Sequence, residues 1–188
     1  MLNSLSTGDP DRFLSIEQLE AGYHALPPSP RDQGVVTRIL VRHAGGVREL
    51  LNVTELTVEG GVIGDSWGRD PHRDPQAQLA VMQQSVAELI AHGQPLELAG
   101  DNLWLDLDLS AANVPPGSRL KVGSVLLEVT PLPHNGCSKF QSRFGAGGLK
   151  LVAQPSMRHL NLRGIYLRVI EPGAVHIGDT IRVVSRPM

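Results

Sequence analysis

The sequence predicts a mainly β domain, a closed or strongly bent β-barrel with a few short helices. Two stretches alternate apolar and polar residues with a period of two: Val35–Arg42 and Asn102–Leu109. Helical periodicity, in contrast, is confined to short segments. An internal echo adds the third observation. Pro116-Gly-Ser-Arg-Leu-Lys-Val-Gly-Ser-Val-Leu-Leu-Glu-Val129 resembles Pro172-Gly-Ala-Val-His-Ile-Gly-Asp-Thr-Ile-Arg-Val183, offset by one residue. Each copy reads as a Pro-Gly turn, a short strand, a glycine kink and a second strand, which suits the corners of a sheet that closes on itself. Two copies are too few for a repeat architecture.

Taken in order, residues 1–14 read as a loose tail. Ser15-Ile-Glu-Gln18 is a capping-box pattern, with Ile16, Leu19 and Tyr23 following at helical spacing. Pro27, Pro28 and Pro30 end that helix near Leu26. In the strand from Val35, Thr37, Ile39 and Val41 are expected on one face and Arg38 and Arg42 on the other. Ala44-Gly45-Gly46 reads as a hairpin turn, and residues 47–58 supply one or two further strands. A charged loop then runs from Gly60 to about Gln78. Leu79–Met82 is a short apolar strand, followed by a short helix over Ser85–His92 with Ser85 as its N-cap and Gly93 as its stop. In the strand from Asn102, leucines 103, 105, 107 and 109 share one face, and Trp104, Asp106 and Asp108 a wet one. Ser138–Phe144 reads as a short helix interrupted by Gly145-Ala-Gly-Gly148, with another helical turn over Leu149–Ala153. Arg163-Gly164 leads into a strand over Ile165–Ile170. The expected division is residues 1–33 as tail and helix, and 34–188 as the barrel domain.

Composition excludes several classes. At 188 residues and 41% apolar content the chain can bury one proper core. No apolar run reaches the length of a membrane span, so no membrane association is expected. The first residues contain acids and no basic, apolar leader, so no signal peptide is expected. A single cysteine cannot form an internal disulfide, which fits a reducing compartment, most simply the cytoplasm. A net charge of −2 and sparse aromatics make no case for a nucleic-acid partner. Nothing in the residues indicates an oligomeric state.

The chemistry points to Pro131-Leu-Pro-His-Asn-Gly-Cys137-Ser-Lys-Phe-Gln-Ser-Arg-Phe-Gly145, which holds the only cysteine. From Val129 to Ile170 there is no Asp or Glu, but there are six bases: Lys139, Arg143, Lys150, Arg158, Arg163 and Arg168. Against a whole-chain charge of −2 this leaves −8 elsewhere, an asymmetry that predicts a local anion site. Asn135-Gly136 is a turn signal, which places Cys137 on a loop flanked by His134 and Lys139. Positive surroundings favour thiolate, the form that attacks electrophiles and binds soft metals. The opposing reading is a buried cysteine acting as a small hydrophobe. His72 with Asp70 or Asp74 has the spacing of a metal half-site, a pattern common by chance.

Gly64-Asp65, Gly100-Asp-Asn-Leu103, Pro116-Gly, Leu126-Leu-Glu-Val-Thr130 running into Pro133-His-Asn-Gly-Cys137-Ser-Lys-Phe140, and Arg163-Gly164 followed by a Pro-Gly and Gly-Asp hairpin form an ordered set. Over roughly residues 34–185 the chain resembles the MOSC domain family. That resemblance implies a barrel-like fold and a loop cysteine, here Cys137, that binds the molybdenum cofactor (molybdopterin) or handles sulfur near it. Some relatives reduce N-hydroxylated small molecules such as amidoximes or hydroxylaminopurines, with the thiolate coordinating molybdenum. Asp65, Arg69, Asn102, His134, Asn135, Lys139, Arg143 and Arg163 are the expected cofactor-binding residues. Arginine suits bidentate contact with the pterin's phosphate. Ser66-Trp67 stands where many relatives carry a histidine soon after Gly-Asp. The sequence contains no four-cysteine iron–sulfur module, so a reductase of this kind is expected to need an external electron-donor protein. It also lacks the lysine-bearing sulfurase domain, so a complete cofactor sulfurase is not expected. The alternatives are a non-catalytic carrier delivering cofactor or sulfur to a partner, and a thiol redox sensor, which would need an intermolecular partner for Cys137.

Overall fold

In the computed structural model, which describes residues 7–187, seven strands close into a barrel. They are β1 (Gln33–Arg42), β5 (Leu79–Gln83), β6 (Leu103–Asp106), β7 (Arg119–Val122), β8 (Val125–Val129), β9 (Ile165–Glu171) and β11 (Thr180–Ser185). Their order is β11-β7-β8-β9-β5-β6-β1, and β1 returns to β11. Strand β2 (Arg48–Leu51) extends the sheet beyond β1. The ten residues of β1 make this possible. Residues 33–35 pair with β11 and residues 39–42 with β2, so the two partners follow one another along one edge. A separate three-stranded sheet holds β10 (Gly173–His176), β3 (Val53–Thr57) and β4 (Gly61–Val62). Its Leu56, Val62 and Val175 join the apolar cluster inside the barrel. Four α-helices lie among the described residues: α1 (Ile16–Ala25), α2 (Ser66–Arg69), α3 (Gln84–Ala91) and α4 (Ser138–Ala153). None is long and apolar enough to cross a membrane.

Strand alternation divides the apolar residues between two cores. Val36, Ile39, Val41, Val81, Leu103 and Leu105 point into the barrel, while Leu40, Met82 and Trp104 point outward into a second cluster under α1, α3 and α4. Trp104 is fully buried, so the face expected to be wet is instead roofed by helices, and only Asp106 on it is exposed. A bulge between Val36 and Arg38 also breaks the expected alternation of β1 and puts Val36, rather than Thr37, on the same face as Ile39. Each of these large apolar side chains contributes roughly 1.5–3 kcal/mol on burial.

The helices follow their local signals with three exceptions. Ser15 and Gln18 exchange both capping-box bonds, and α1 ends at its C-cap Leu26. Helix α3, however, starts one residue before Ser85, and its N-cap is Gln83. Helix α4 breaks at Gly145 (φ 76°, ψ 173°), as the Gly-rich stretch predicts, but the break is confined to that residue and the helical path resumes before Leu149 instead of at it. The reason is close packing. A Cβ on Gly147 would lie 2.2 Å from the Leu14 carbonyl oxygen, and one on Gly145 2.8 Å from Phe13. The third exception is the segment before α1. Gly8 donates its amide to the Ser142 carbonyl (3.1 Å) and Asp9 to Gln94 Oε1 (2.7 Å), so residues 8–14 are docked on α4 rather than loose. The rest of the expected tail, residues 1–6, lies outside the described residues.

The two echoed segments diverge in use. Strands β7 and β8 form a hairpin through Gly123. Strands β10 and β11 do not pair with each other: β10 joins β3, and β11 closes the barrel. Between them Ile177 donates to Asn52 and Gly178 to Val36, so the chain passes from one sheet to the other there.

Candidate functional site

Cys137 lies at a cleft of about 510 Å³. Strand β1 delivers Arg42 and β2 opens with Arg48; these two are a cross-strand pair flanking the 43–47 turn. The loop after β8 supplies His134, Asn135 and Cys137, and Lys139 and Arg143 follow one turn apart on α4. Arg163 precedes β9, whose Tyr166 also faces the cleft. The neighbours of Tyr166, Ile165 and Leu167, point into the barrel core, as do those of Ala80. The cleft therefore opens on the outer wall of the barrel beside α4, and not at a barrel mouth, because the interior is filled by side chains.

No carboxylate lines the cleft, but two stand behind it. Asp65 is 2% exposed and caps α2 through the Trp67 amide (2.9 Å). It accepts from Arg42 Nη2 (2.7 Å), Arg42 Nε (3.1 Å), the Arg42 amide (2.8 Å) and Asn102 Nδ2 (3.1 Å). Asn102 Oδ1 in turn accepts from Arg42 Nη2 (3.2 Å) and the Ala80 amide (3.1 Å). Burial works against the charge on Asp65, but the bonds and charge of Arg42, aided by two backbone amides, outweigh it and hold the carboxyl below its ordinary value. Asp101, with no exposed surface, accepts from Arg163 Nη1 at 2.8 and 2.9 Å. The guanidinium of Arg163 also lies 4.8 Å over the ring of Phe140. Next to Arg163, Gly164 at φ +101° packs so closely on β5 that a Cβ there would lie 2.0 Å from the Val81 carbonyl oxygen, so only glycine fits.

Four of the five cations fall into two sets. Arg42 and Arg163 are locked by Asp65 and Asp101. Lys139 and Arg143 make no ion pair among the described residues, and Nε of Arg143 is buried without a hydrogen-bond partner. Burial lowers the Arg143 guanidinium, with Cys137 opposing and Arg163 adding to the shift. Burial, with the charges of Arg143 and Arg42, lowers Arg48 to about 10. His134 stacks on Tyr166 (ring centroids 4.3 Å). Its burial, then the charges of Arg163 and Arg42, hold it well below its ordinary value, so the imidazole is neutral. Asp101 Oδ1 lies 3.7 Å from His134 Nδ1, beyond hydrogen-bond length, and Nδ1 has no partner. Cys137 is exposed; it is the N-cap residue of α4 but makes no side-chain capping bond, so the sulfur is not spent on the helix.

Of the residues expected from sequence, Cys137, His134, Asn135, Lys139, Arg143 and Arg163 come together in the cleft. Asp65 and Asn102 sit behind it as supports for Arg42. Arg69 lies outside it: its Nη1 donates to the Gly64 carbonyl (2.6 Å) and its Nη2 to that of Arg42 (3.2 Å), fastening α2 to β1. Three of the six bases in the acid-free window line the cleft. Arg168 pairs instead with Glu128, Lys150 is exposed on α4, and Arg158 lines a different cavity. Arg42, Arg48, Asp101 and Tyr166 were missed. The signals for them were modest: Arg42 was already on the polar face of β1, and Asp101 adjoins Asn102 in the Gly100-Asp-Asn triplet.

The MOSC domain profile matches residues 68–182, more than half of the chain and the whole segment carrying the cysteine loop. The chain belongs to the MOSC domain family. Solved structures share its fold. The YUAD protein from Bacillus subtilis is 19% identical, covers 82% of this chain and 97% of its own, and superposes with a TM-score of 0.61. YiiM from Escherichia coli is 25% identical, covering 80% of this chain and 70% of its own, with a TM-score of 0.53. YiiM from Geobacillus stearothermophilus is 18% identical, covering 85% and 76%, with a TM-score of 0.50. No curated protein matches the chain. The MOSC match begins after Arg42, Arg48 and Asp65, so one wall of the cleft lies outside the matched segment.

Proposed function

We propose that this MOSC protein binds a molybdenum cofactor with Cys137 as the protein's ligand to the metal and acts as a small oxidoreductase on N-hydroxylated compounds. The observation that carries the proposal is an exposed thiol at the edge of a cleft with five cationic side chains and no carboxylate on its surface. Thiolate is a soft donor suited to such a metal. No group of three or more His, Cys, Asp or Glu is placed to hold a metal among the described residues, so a metal at Cys137 draws its other ligands from the cofactor. The residues fit that group. Lys139 and Arg143, free of ion pairs among the described residues, would offer charge to the phosphate, and buried Nε of Arg143 and Nε of Arg163 lack partners among the same residues. The cofactor, when bound, supplies the two-electron chemistry for cleaving an N–O bond. The protein's own part is positional. Asp65 and Asp101 hold Arg42 and Arg163 so that no side-chain reorganisation is needed on binding. Neutral His134, stacked on Tyr166, stands beside the cations without adding to their charge. Electrons come from an external donor protein.

A non-catalytic carrier is the second reading, favoured by the exposure of Cys137, which lets a partner reach the sulfur. One experiment separates the two. Protein purified from cells with intact cofactor synthesis is assayed for molybdenum and pterin, and for amidoxime reduction with a reduced dye as donor. Wild type is expected to carry stoichiometric molybdenum and to turn over. Cys137→Ser is expected to lose both with a melting temperature no lower than that of wild type, since the side chain is exposed and serine is a preferred N-cap for α4. Metal without turnover favours the carrier; folded wild type free of molybdenum overturns the proposal.

A further inference from the structure

A second cavity, of about 490 Å³, lies on the far side of the Pro131–His134 segment from the cysteine cleft, and among the described residues only His134 lines both. Its floor is Val114, Val129 and Ile165, all buried. One wall is Pro131-Leu132-Pro133, and the other is the 3-10 turn Pro155–Leu160. The walls are preformed. Proline restricts the backbone on both sides. The turn is pinned to the chain after β6 by Ala111 donating to the His159 carbonyl (2.8 Å) and by Asn161 Nδ2 donating to the Leu109 carbonyl (2.8 Å).

The polar groups around this cavity are not equally available. Thr130 donates its hydroxyl to the Gln76 carbonyl (2.7 Å), and the Asn161 amide is committed to Leu109. Arg158 and His159, both exposed, remain, together with the buried and unpartnered Nδ1 of His134; of these only Arg158 carries a fixed charge, and it makes no ion pair among the described residues. No carboxylate lines the cavity. An apolar interior of this size, within the range of about 300–1,000 Å³ usual for small-ligand sites, with an uncommitted guanidinium at its rim, is complementary to one kind of molecule.

We propose that this cavity binds a small amphipathic monoanion, an aromatic or medium-chain carboxylate, with its apolar body against Val114, Val129 and Ile165 and its carboxylate on Arg158. The site is separate from the cysteine cleft and does not rest on the molybdenum reading.

The test is titration of the full chain with 4-phenylbutyrate by calorimetry, with 4-phenylbutan-1-ol as the neutral analogue. The acid is expected to bind, and the alcohol to bind more weakly. Arg158→Glu, at an exposed position, is expected to weaken the acid by at least about tenfold, the scale of one charged hydrogen bond. Leu132→Trp, which fills the cavity, is expected to block both ligands. Arg143→Glu, in the other cleft, is expected to leave binding unchanged. Absence of binding to wild type, an affinity indifferent to Arg158→Glu, or loss of binding on Arg143→Glu overturns the proposal; because Arg158 is exposed, its variant decides the matter even where Leu132→Trp fails to fold.

Discussion

Asp101 and Asp65 are both buried carboxylates, and neither faces the cleft. Each fixes an arginine that does. Their removal would leave a guanidinium in a low-dielectric wall without its counter-charge, which costs far more than the pair itself contributes. Asp101→Ala is therefore expected to lower unfolding free energy by roughly 3–5 kcal/mol in urea titrations. Arg168→Ala, which breaks an ion pair whose arginine is half exposed, is expected to cost no more than about 1 kcal/mol. Equal costs would show that Arg163 is solvated. His134 governs a pH dependence at the same scale. Its folded-state value is depressed by burial and by Arg163 and Arg42, whereas the unfolded side chain protonates near about 6.5. Below that pH the unfolded chain binds a proton that the folded one does not. Stability is thus fully present above about 6.5 and declines as pH falls, by up to about 1.4 kcal/mol per unit, until the folded value is reached. Urea midpoints at pH 7.5, 6.5 and 5.5 are expected to show the decline, and His134→Gln is expected to flatten it. A variant with the same slope would assign the effect elsewhere.

Helix α4 sets local propensity against packing. Its helical glycines at 147 and 148 each weaken a helix by about 1 kcal/mol relative to alanine, and on that ground Gly147→Ala should stabilise the protein. The Leu14 carbonyl, 2.2 Å from the site of the new Cβ, reverses the sign. Overpacking of this kind costs roughly 1–3 kcal/mol, so a lower melting temperature is expected. A higher one would mean that residues 8–14 move away from α4 at little cost. The segment matters to the cleft because α4 carries Lys139 and Arg143 on its first turns, and the kink at Gly145 sets the direction of those turns against Phe13.

Strands β1, β5 and β6 serve both cores on alternate residues, so the barrel and the helical layer are coupled at the scale of the whole molecule. Leu127→Ala in the barrel and Ile90→Ala beneath the helices are each expected to cost about 2–5 kcal/mol. Both are expected to shift one common transition, seen alike by far-ultraviolet circular dichroism and by tryptophan fluorescence, to which Trp104 contributes from the outer core. Two separate transitions would show that the helical layer unfolds on its own. Charge is also distributed at this scale. The window from 129 to 170 is acid-free, yet the carboxylates that position its Arg163 and the facing Arg42 come from Asp101 and Asp65, far away in sequence.

What the sequence determined was local: the alternation of β6, the Ser15–Gln18 cap, the loop that exposes Cys137, and the basic window around it. These depend on residues within a few positions of one another, where periodicity and turn chemistry act directly. The tertiary structure decided the rest. It placed Trp104 in a second core, sent β10 and β11 to different sheets, confined the break in α4 to Gly145, and set Arg42 and Arg48 opposite Cys137 while leaving Arg69 outside. Those outcomes follow from which surfaces meet when a sheet closes, and contacts between residues about 90 positions apart leave no periodic trace in the chain.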